Sequence, residues 1–201
     1  RPARARLQAR HRAEVRQGHR AQVHRVAHQG HPGQAAAHAG DEVRPYHQFG
    51  RARGAEHLDI ADQPHSLPMR SACCEIEIEI AVQTAHQIIL SVRQSPADEE
   101  VTRIIYNHID QCLWLDTTHA RQNSASGQAN AAPLVLTDHD TLRLRVFVDD
   151  SVIEVYANEG VCLSGRIYPA RTDSDHISIR CNKGEAFIQQ CVVWSMASTI
   201  F

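Results

Sequence analysis

The sequence predicts an all-β chain, an antiparallel two-sheet β-sandwich preceded by a disordered or irregular N-terminal segment. Three observations carry that prediction. Between Ser71 and Met196 about nine short apolar segments follow one another, with turn residues at intervals of roughly 8–12 and almost no helical period. Two of them, CEIEIEIAV from Cys74 and TLRLRVFVD from Thr141, alternate apolar and polar residues one by one, the period of a strand with one buried face. Residues 1–70 show neither period over a length that would bury a face.

That first segment is built from Arg, Ala, His, Gln and Gly with scattered Val and Leu. Such a composition buries too little apolar surface to offset the entropy of ordering the chain. Ala35-Ala36-Ala37 is its one helix-friendly cluster, and Gly30, Pro32, Gly33 and Gly40 surround it. Two readings stand against each other. One is disordered or off-frame sequence, because lysine-free strings of these residues are what a GC-rich gene yields in the wrong frame. The other is a basic arm for nucleic acid. The lack of lysine, of interleaved aromatics and of any recognisable motif favours the first. The expected organisation is therefore 1–70 as low-complexity sequence and 71–201 as the folded domain.

The folded part is expected to open near Ser71. In Cys74–Val82, Ile76, Ile78, Ile80 and Val82 face inward, while Glu75, Glu77 and Glu79 read as a solvated face rather than a cation site. His86–Gln94, centred on Ile89 and Leu90, is the next strand, and Ser95-Pro96-Ala97-Asp98-Glu99 the turn after it. Glu100–Asn107 (EVTRIIYN) and Cys112–Asp116 (CLWLD) follow as strands, and Thr117–Ala132 reads as a long exposed polar loop. Pro133–Leu136 leads into a three-stranded meander over Thr141–Pro169. In it Asp150-Ser151 makes the first reversal, and Asn158-Glu159-Gly160 the second, with Gly160 free to take positive φ. The third strand runs from Val161 to Tyr168 and stops at Pro169, which has no N–H to donate to a ladder. His176–Cys181, an Asn182-Lys183-Gly184 turn and Glu185–Met196 complete the chain. The predicted core includes Ile76, Ile78, Ile80, Ile104, Leu142, Leu144, Val146, Val155 and Ile167.

Composition excludes some function classes. The chain of 201 residues has a formal charge of −2, split unevenly. Residues 1–68 carry eleven Arg against six acids, net +5, and residues 69–201 carry nine Arg and one Lys against seventeen acids, net −7. The folded part therefore presents no positive field for nucleic acid. No apolar run reaches the roughly 20 residues of a membrane span. No apolar signal-peptide core is visible, and the chain opens on Arg1 rather than Met, so it reads as a fragment. The six cysteines, Cys73, Cys74, Cys112, Cys162, Cys181 and Cys191, include no C-x-x-C pair. Disulfides are permitted by the even count, but small buried residues in strands are the preferred reading.

Within the meander the residues themselves are more specific than their pattern. Phe147-Val148-Asp149, Ser151, Glu154-Val155-Tyr156-Ala157-Asn158, Gly160 and Arg166-Ile167-Tyr168-Pro169 occur in this order and spacing. The string closely resembles the carboxy-terminal β-sandwich module of glycoside hydrolase family 32, the invertases, inulinases, levanases and related fructosyltransferases. Val92-Arg93-Gln94-Ser95-Pro96, Thr102–Tyr106 and the closing Trp194 resemble it more weakly. The likeness runs from about Cys74 to Trp194 and does not reach residues 1–70. It implies a concanavalin-like jelly roll. It also implies a partner, an upstream five-bladed propeller that hydrolyses β-fructofuranosyl bonds in sucrose, inulin or levan, and an extracellular location.

The chemistry of that parent is not in this sequence. Retaining hydrolysis needs a carboxylate nucleophile and a carboxylic acid about 5–5.5 Å apart. By resemblance these belong to Asn-Asp-Pro and Glu-Cys motifs, with a stabilising Arg-Asp-Pro, all in the propeller. This chain has no Asp-Pro and no Glu-Cys dipeptide, so no catalytic residue is assigned, and no cofactor or metal ligand either. Asp149 and Asp150 are read as turn formers, and Glu154 with Arg166 as a cross-strand pair. His86, His108, His119, His139 and His176 lack ligand spacing. Trp114 is a core or interface residue in preference to a sugar platform. The resulting reading is a docking module, inactive alone, with fructan or sucrose as a possible ligand and neither nucleic acid nor membrane as partner. Its rival is a free-standing, lectin-like carbohydrate-binding sandwich. Exposed aromatics lining a concave face would favour the rival, and an apolar patch at a sheet edge the docking module.

Overall fold

The computed structural model describes residues 49–121, 127–137, 140–158 and 160–196. All regular elements among them are β-strands: β1 (Phe49–Ile60), β2 (His65–Ser66), β3 (Cys73–Ala81), β4 (Gln87–Gln94), β5 (Thr102–Asn107), β6 (Cys112–Asp116), β7 (Ala129–Pro133), β8 (Thr141–Asp149), β9 (Val152–Ala157), β10 (Val161–Arg166), β11 (His176–Asn182) and β12 (Ala186–Met196). They form two antiparallel six-stranded sheets. The first has the order β1-β12-β3-β8-β9-β10, the second β2-β11-β4-β5-β6-β7.

The alternation read in the sequence builds the interior. β3 and β8 pair without a register break from Cys73↔Asp149 to Ala81↔Thr141. Because side chains alternate across a strand, this register sets Ile76, Ile78 and Ile80 beside Val146, Leu144 and Leu142 on one face. All nine predicted core residues are buried, none more than 3% exposed. From the second sheet, Ile88, Leu90, Tyr106, Leu113, Leu115 and Ile179 close the same core.

Four expectations are corrected. The fold does not begin near Ser71: β1 and β2 precede it. β1 pairs with β12 from Phe49↔Met196 to Ile60↔Ala186, a ladder of backbone bonds that makes little demand on side-chain pattern. Ile60 and Leu67 join the core, and the Leu67 amide donates to the Ile177 carbonyl at 2.9 Å. The reading of residues 1–48 as disordered or off-frame lies outside the described residues. Secondly, the polar stretch Thr117–Ala132 ends in a strand, since β7 pairs with β6 from Ala129↔Asp116 to Pro133↔Cys112. Thirdly, the last meander strand ends at Arg166, not Tyr168. Lastly, the described residue with positive φ in the second meander turn is Asn158, at 44°. Its side chain is what holds it there. Asn158 Oδ1 accepts from the Arg143 amide at 2.9 Å and Nδ2 donates to the Thr141 carbonyl at 2.8 Å, both on β8.

One end of the sandwich is tied by buried polar groups. Glu100, fully buried, accepts from the Ala170 and Arg171 amides at 2.9 and 3.1 Å and from the Ser174 hydroxyl at 2.7 Å. It thereby anchors the connection between β10 and β11 to the β4–β5 turn. At the same end Arg93, in the left-handed region at φ 48°, reaches across to Asp150 in the β8–β9 turn at 3.8 Å.

Candidate functional site

The residues singled out from sequence do not converge on one centre. Asp149 ends β8 and accepts from the Cys73 thiol at 3.7 Å. Asp150 takes φ 45° in the reversal and faces Arg93, so the turn reading holds for Asp150, while Asp149 is the last residue of the strand before it. Glu154 and Arg166 do not oppose each other. The register sets Glu154 against Ser164 and Arg166 against Val152. Tyr156 Oη donates to Glu154 at 3.4 Å, and the Arg166 guanidinium lies 6.0 Å from the centre of the Tyr168 ring. Trp114 is half-buried, between Ile105 and Ala131 on neighbouring strands. His176 Nδ1 is 3.2 Å from the Asp175 carboxylate but lacks hydrogen-bond geometry to it. His139 lies outside the described residues.

The cysteines divide by depth. Cys74, Cys181 and Cys191 are buried, Cys73 and Cys112 half-buried, Cys162 exposed, and none forms a disulfide. Burial pushes the thiols of Cys74 and Cys191 up to about 12, because a thiolate there would lose its water.

The surface feature with most chemistry is a groove on the outer face of the first sheet. Its volume is about 530 Å³, and Glu77, Glu79, Arg143, Arg145, Phe147 and Tyr156 line much of it. Strand register creates this mixture: Glu79 opposes Arg143, Glu77 opposes Arg145, and Arg145 opposes Tyr156. Arg143 Nε pairs with Glu79 at 3.2 Å, and Arg145 Nε with Glu75 at 2.6 Å and Glu77 at 3.4 Å. Glu75 departs from the solvated face expected of all three glutamates: it is 1% exposed. It stands between Trp194 and Phe147 in the ladder, with Arg145 as its charged partner. Phe147 and Tyr156 meet edge to face, centroids 6.1 Å apart at 88°, and the Arg145 guanidinium lies 5.2 Å from the centre of the Phe147 ring. Burial and, next, the Glu154 carboxylate push the Tyr156 phenol above its ordinary range, so it stays a hydrogen-bond donor. In sequence these residues are only the polar half of an alternation. Their grouping depends on register between strands up to 70 residues apart.

Elsewhere on the surface, Ile109 and Val135 are each 64% exposed at the end where β5 turns into β6 and β7 ends. The Leu134 amide donates to the Gln111 carbonyl at 2.8 Å and holds these two segments together. Tyr168 stands half-exposed at the opposite end, just beyond β10. Among the described residues no His, Cys, Asp and Glu side chains gather in a set of three or more that would hold a metal ion, and no helix is long and apolar enough to cross a membrane.

Two packed antiparallel six-stranded sheets, with an aromatic and charged groove on the outer face of one, define a β-sandwich domain. The chain belongs to the family described as Glycosyl hydrolases family 32 C terminal, whose pattern matches residues 47–195. That span starts within two residues of β1, so the family's module includes the strands that sequence reading left out. Over 62 residues, 30% of this chain and 13% of the relative, it is 39% identical to the raffinose invertase of Escherichia coli. Among solved structures it is similar to the exo-inulinase of Aspergillus awamori, with a TM-score of 0.61 and 22% identity over 79% of this chain and 30% of that one. It is also similar to fructan 1-exohydrolase IIa of Cichorium intybus, with a TM-score of 0.64 and 14% identity over 75% of this chain and 36% of that one. At these identities the structural likeness establishes the fold. The chain spans about a third of those two solved proteins.

Proposed function

We propose that this chain is the non-catalytic carboxy-terminal sandwich of a β-fructofuranosidase-type enzyme, and that it supports a propeller domain carrying the catalytic carboxylates. The observation that carries this is the match to the family's C-terminal module over residues 47–195, on a chain that spans about a third of its solved relatives. The parent enzyme is proposed to cleave sucrose or fructans with retention and, as the family resemblance implies, to act outside the cell. The exposed Ile109 and Val135 support docking, since large apolar side chains left in water gain from being covered.

The test is fructose release from sucrose and inulin by the purified chain, alone and with a separately expressed family 32 propeller. The chain alone is expected to give no turnover. In the mixture it is expected to bind the propeller and raise its thermal stability, and Ile109→Asp with Val135→Asp is expected to abolish that gain. Turnover by the chain alone, lost on mutating one of its own carboxylates, would overturn the reading.

A further inference from the structure

We propose that the cleft between the end strands of the two sheets, β10 and β7, is a binding site for a tetrahedral oxyanion, a phosphate or sulfate group, with Arg121 and Arg166 as its two arms. The ligand class follows from the chemistry of this cleft and does not depend on the docking reading.

Topology makes the cleft. β10 closes the first sheet, β7 closes the second, and the two lie against each other at the free edge of the sandwich. Where β10 runs out they part around a cavity of about 350 Å³, near the lower end of the roughly 300–1,000 Å³ typical of small-molecule sites. One wall comes from the chain after β6, the other from residues 164–168. Thr117 clamps the base of the first wall, its amide and its hydroxyl both donating to the Gln128 carbonyl, at 2.8 and 2.9 Å. On the second wall a Cβ at Gly165 would stand 3.1 Å from Leu115 Cδ2, so glycine lets β10 sit close over β6.

The charged side chains that line the cavity are Arg121 and Arg166, both exposed. Among the described residues neither is ion-paired. Two carboxylates stand nearby, and neither lines the cavity. Asp116 accepts from the Thr118 amide at 2.9 Å and from its hydroxyl at 2.6 Å, and its ladder partner is Arg103. Glu154 opposes Ser164 but accepts from the Tyr156 hydroxyl, toward the outer groove. His119, beside Thr118, adds charge only when protonated. The cavity itself therefore faces cations, and its rim does not cancel them.

Donor chemistry selects the anion. A guanidinium presents parallel N–H groups in one plane, a match for two oxygens of a phosphate or sulfate. The Arg166 guanidinium lies 6.0 Å from the centre of the ring of Tyr168, itself a lining residue, and does not turn to Glu154. Ser164, Tyr168 and Asn130 add neutral donors to the lining. A planar carboxylate has two oxygens and fills one fork. A tetrahedral group has oxygens for two forks and for the neutral donors as well. The ligand is the free ion or its monoester, which share this chemistry.

The experiment titrates the full chain with phosphate, sulfate, methyl phosphate and acetate, each at an ionic strength held constant with sodium chloride. Amide and arginine side-chain NMR shifts report the contact. Saturable shifts centred on Arg121 and residues 164–168 are expected with phosphate or sulfate, half-complete at about 1–10 mM, and weaker ones with acetate. Methyl phosphate binding more tightly than phosphate assigns the site to a monoester, and weaker binding assigns it to the free ion. Arg121→Gln and Arg166→Gln are each expected to weaken binding about tenfold with an unchanged fold, since both side chains are exposed. Arg180→Gln, on β11 and so remote from β7 in the second sheet, is expected to leave it unaltered. Absence of saturable shifts in the cleft with both ions up to about 50 mM overturns the proposal. So do shifts spread evenly over Arg103, Arg180 and the cleft, or binding that survives both substitutions, since the anion is then only screening charge.

Discussion

At the scale of single residues, the sandwich stores polar chemistry in places where water is absent. Glu75 and Glu100 are carboxylates almost wholly removed from solvent, and each is answered by donors: Arg145 Nε for Glu75, and two backbone amides with a serine hydroxyl for Glu100. An unanswered charge at such depth would cost several kcal/mol. The buried thiols follow the opposite logic, because they are neutral and loss of water is the largest influence on them. Cys74 and Cys191 stay protonated up to about 12, against an ordinary value of 9.0. Their pKa is higher folded than unfolded, so the stability they contribute is fully present below pH 9. It is lost as pH rises from there toward 12, where the unfolded chain has already released protons that the folded chain retains. Denaturant unfolding at a series of pH values is therefore expected to show a decline beginning near pH 9. The double variant Cys74→Ala, Cys191→Ala is expected to be less stable at neutral pH because of the cavities it leaves, yet to decline less steeply above pH 9. An equal slope in both proteins would show that these thiols do not govern the alkaline limb.

At the scale of elements, the β9–β10 turn shows how a motif residue becomes geometry. Asn158 combines a left-handed backbone with two side-chain bonds to β8, so it fixes the turn and the β8–β9 pairing together. Asn158→Gly keeps the backbone conformation and loses the bonds, whereas Asn158→Ala loses the bonds and adds strain. Losses of about 1–2 kcal/mol for Gly and about 2–4 kcal/mol for Ala are expected by chemical denaturation. Equal losses, or a milder one for Ala, would mean that the left-handed conformation is not required. Asparagine at this turn was legible as a turn residue, but its bonds were not, because they depend on where β8 lies. The strands were legible unevenly, and the reason is positional. β3, β5, β6, β8 and β9 have neighbours on both sides and read as clean alternations. The three strands missed, β1, β2 and β7, all lie at sheet edges. An edge strand pairs on one side only and tolerates the residues that protect it from further pairing, so its hydrophobic signal is weak. β7 reads ANAAP and β1 begins FGRARGAE. β10, the fourth edge, was found only because two legible turns bound it to the meander. The outer groove was hidden for a related reason: alternation reveals which side chains share a face of one strand, and not which strands lie side by side.

At the scale of the whole molecule, the position of β1 decides what the smallest independent unit is. Reading the alternation alone would place the start of the domain near Ser71, and a protein cut there would keep every legible strand. It would also lose β1 from the side of β12 and β2 from the side of β11. Along β12 that uncovers a row of backbone donors and acceptors extending from Ala186 to Met196, on a strand rich in apolar residues. Ile60 and Leu67 would be removed from the core. Two buried aliphatic side chains contribute about 1.5–3 kcal/mol each. Against a typical domain stability of about 5–15 kcal/mol, their loss together with an exposed apolar edge is severe. Removing residues 1–46 touches none of these contacts. A chain starting at residue 47 is therefore expected to match the full chain in thermal midpoint. One starting at residue 71 is expected to melt at least about 10 °C lower, or to aggregate on expression. Calorimetry and size-exclusion chromatography of the two truncations decide the matter. If the shorter one were as stable as the longer and monomeric, β1 would be dispensable and the domain boundary would return to the one that alternation suggests.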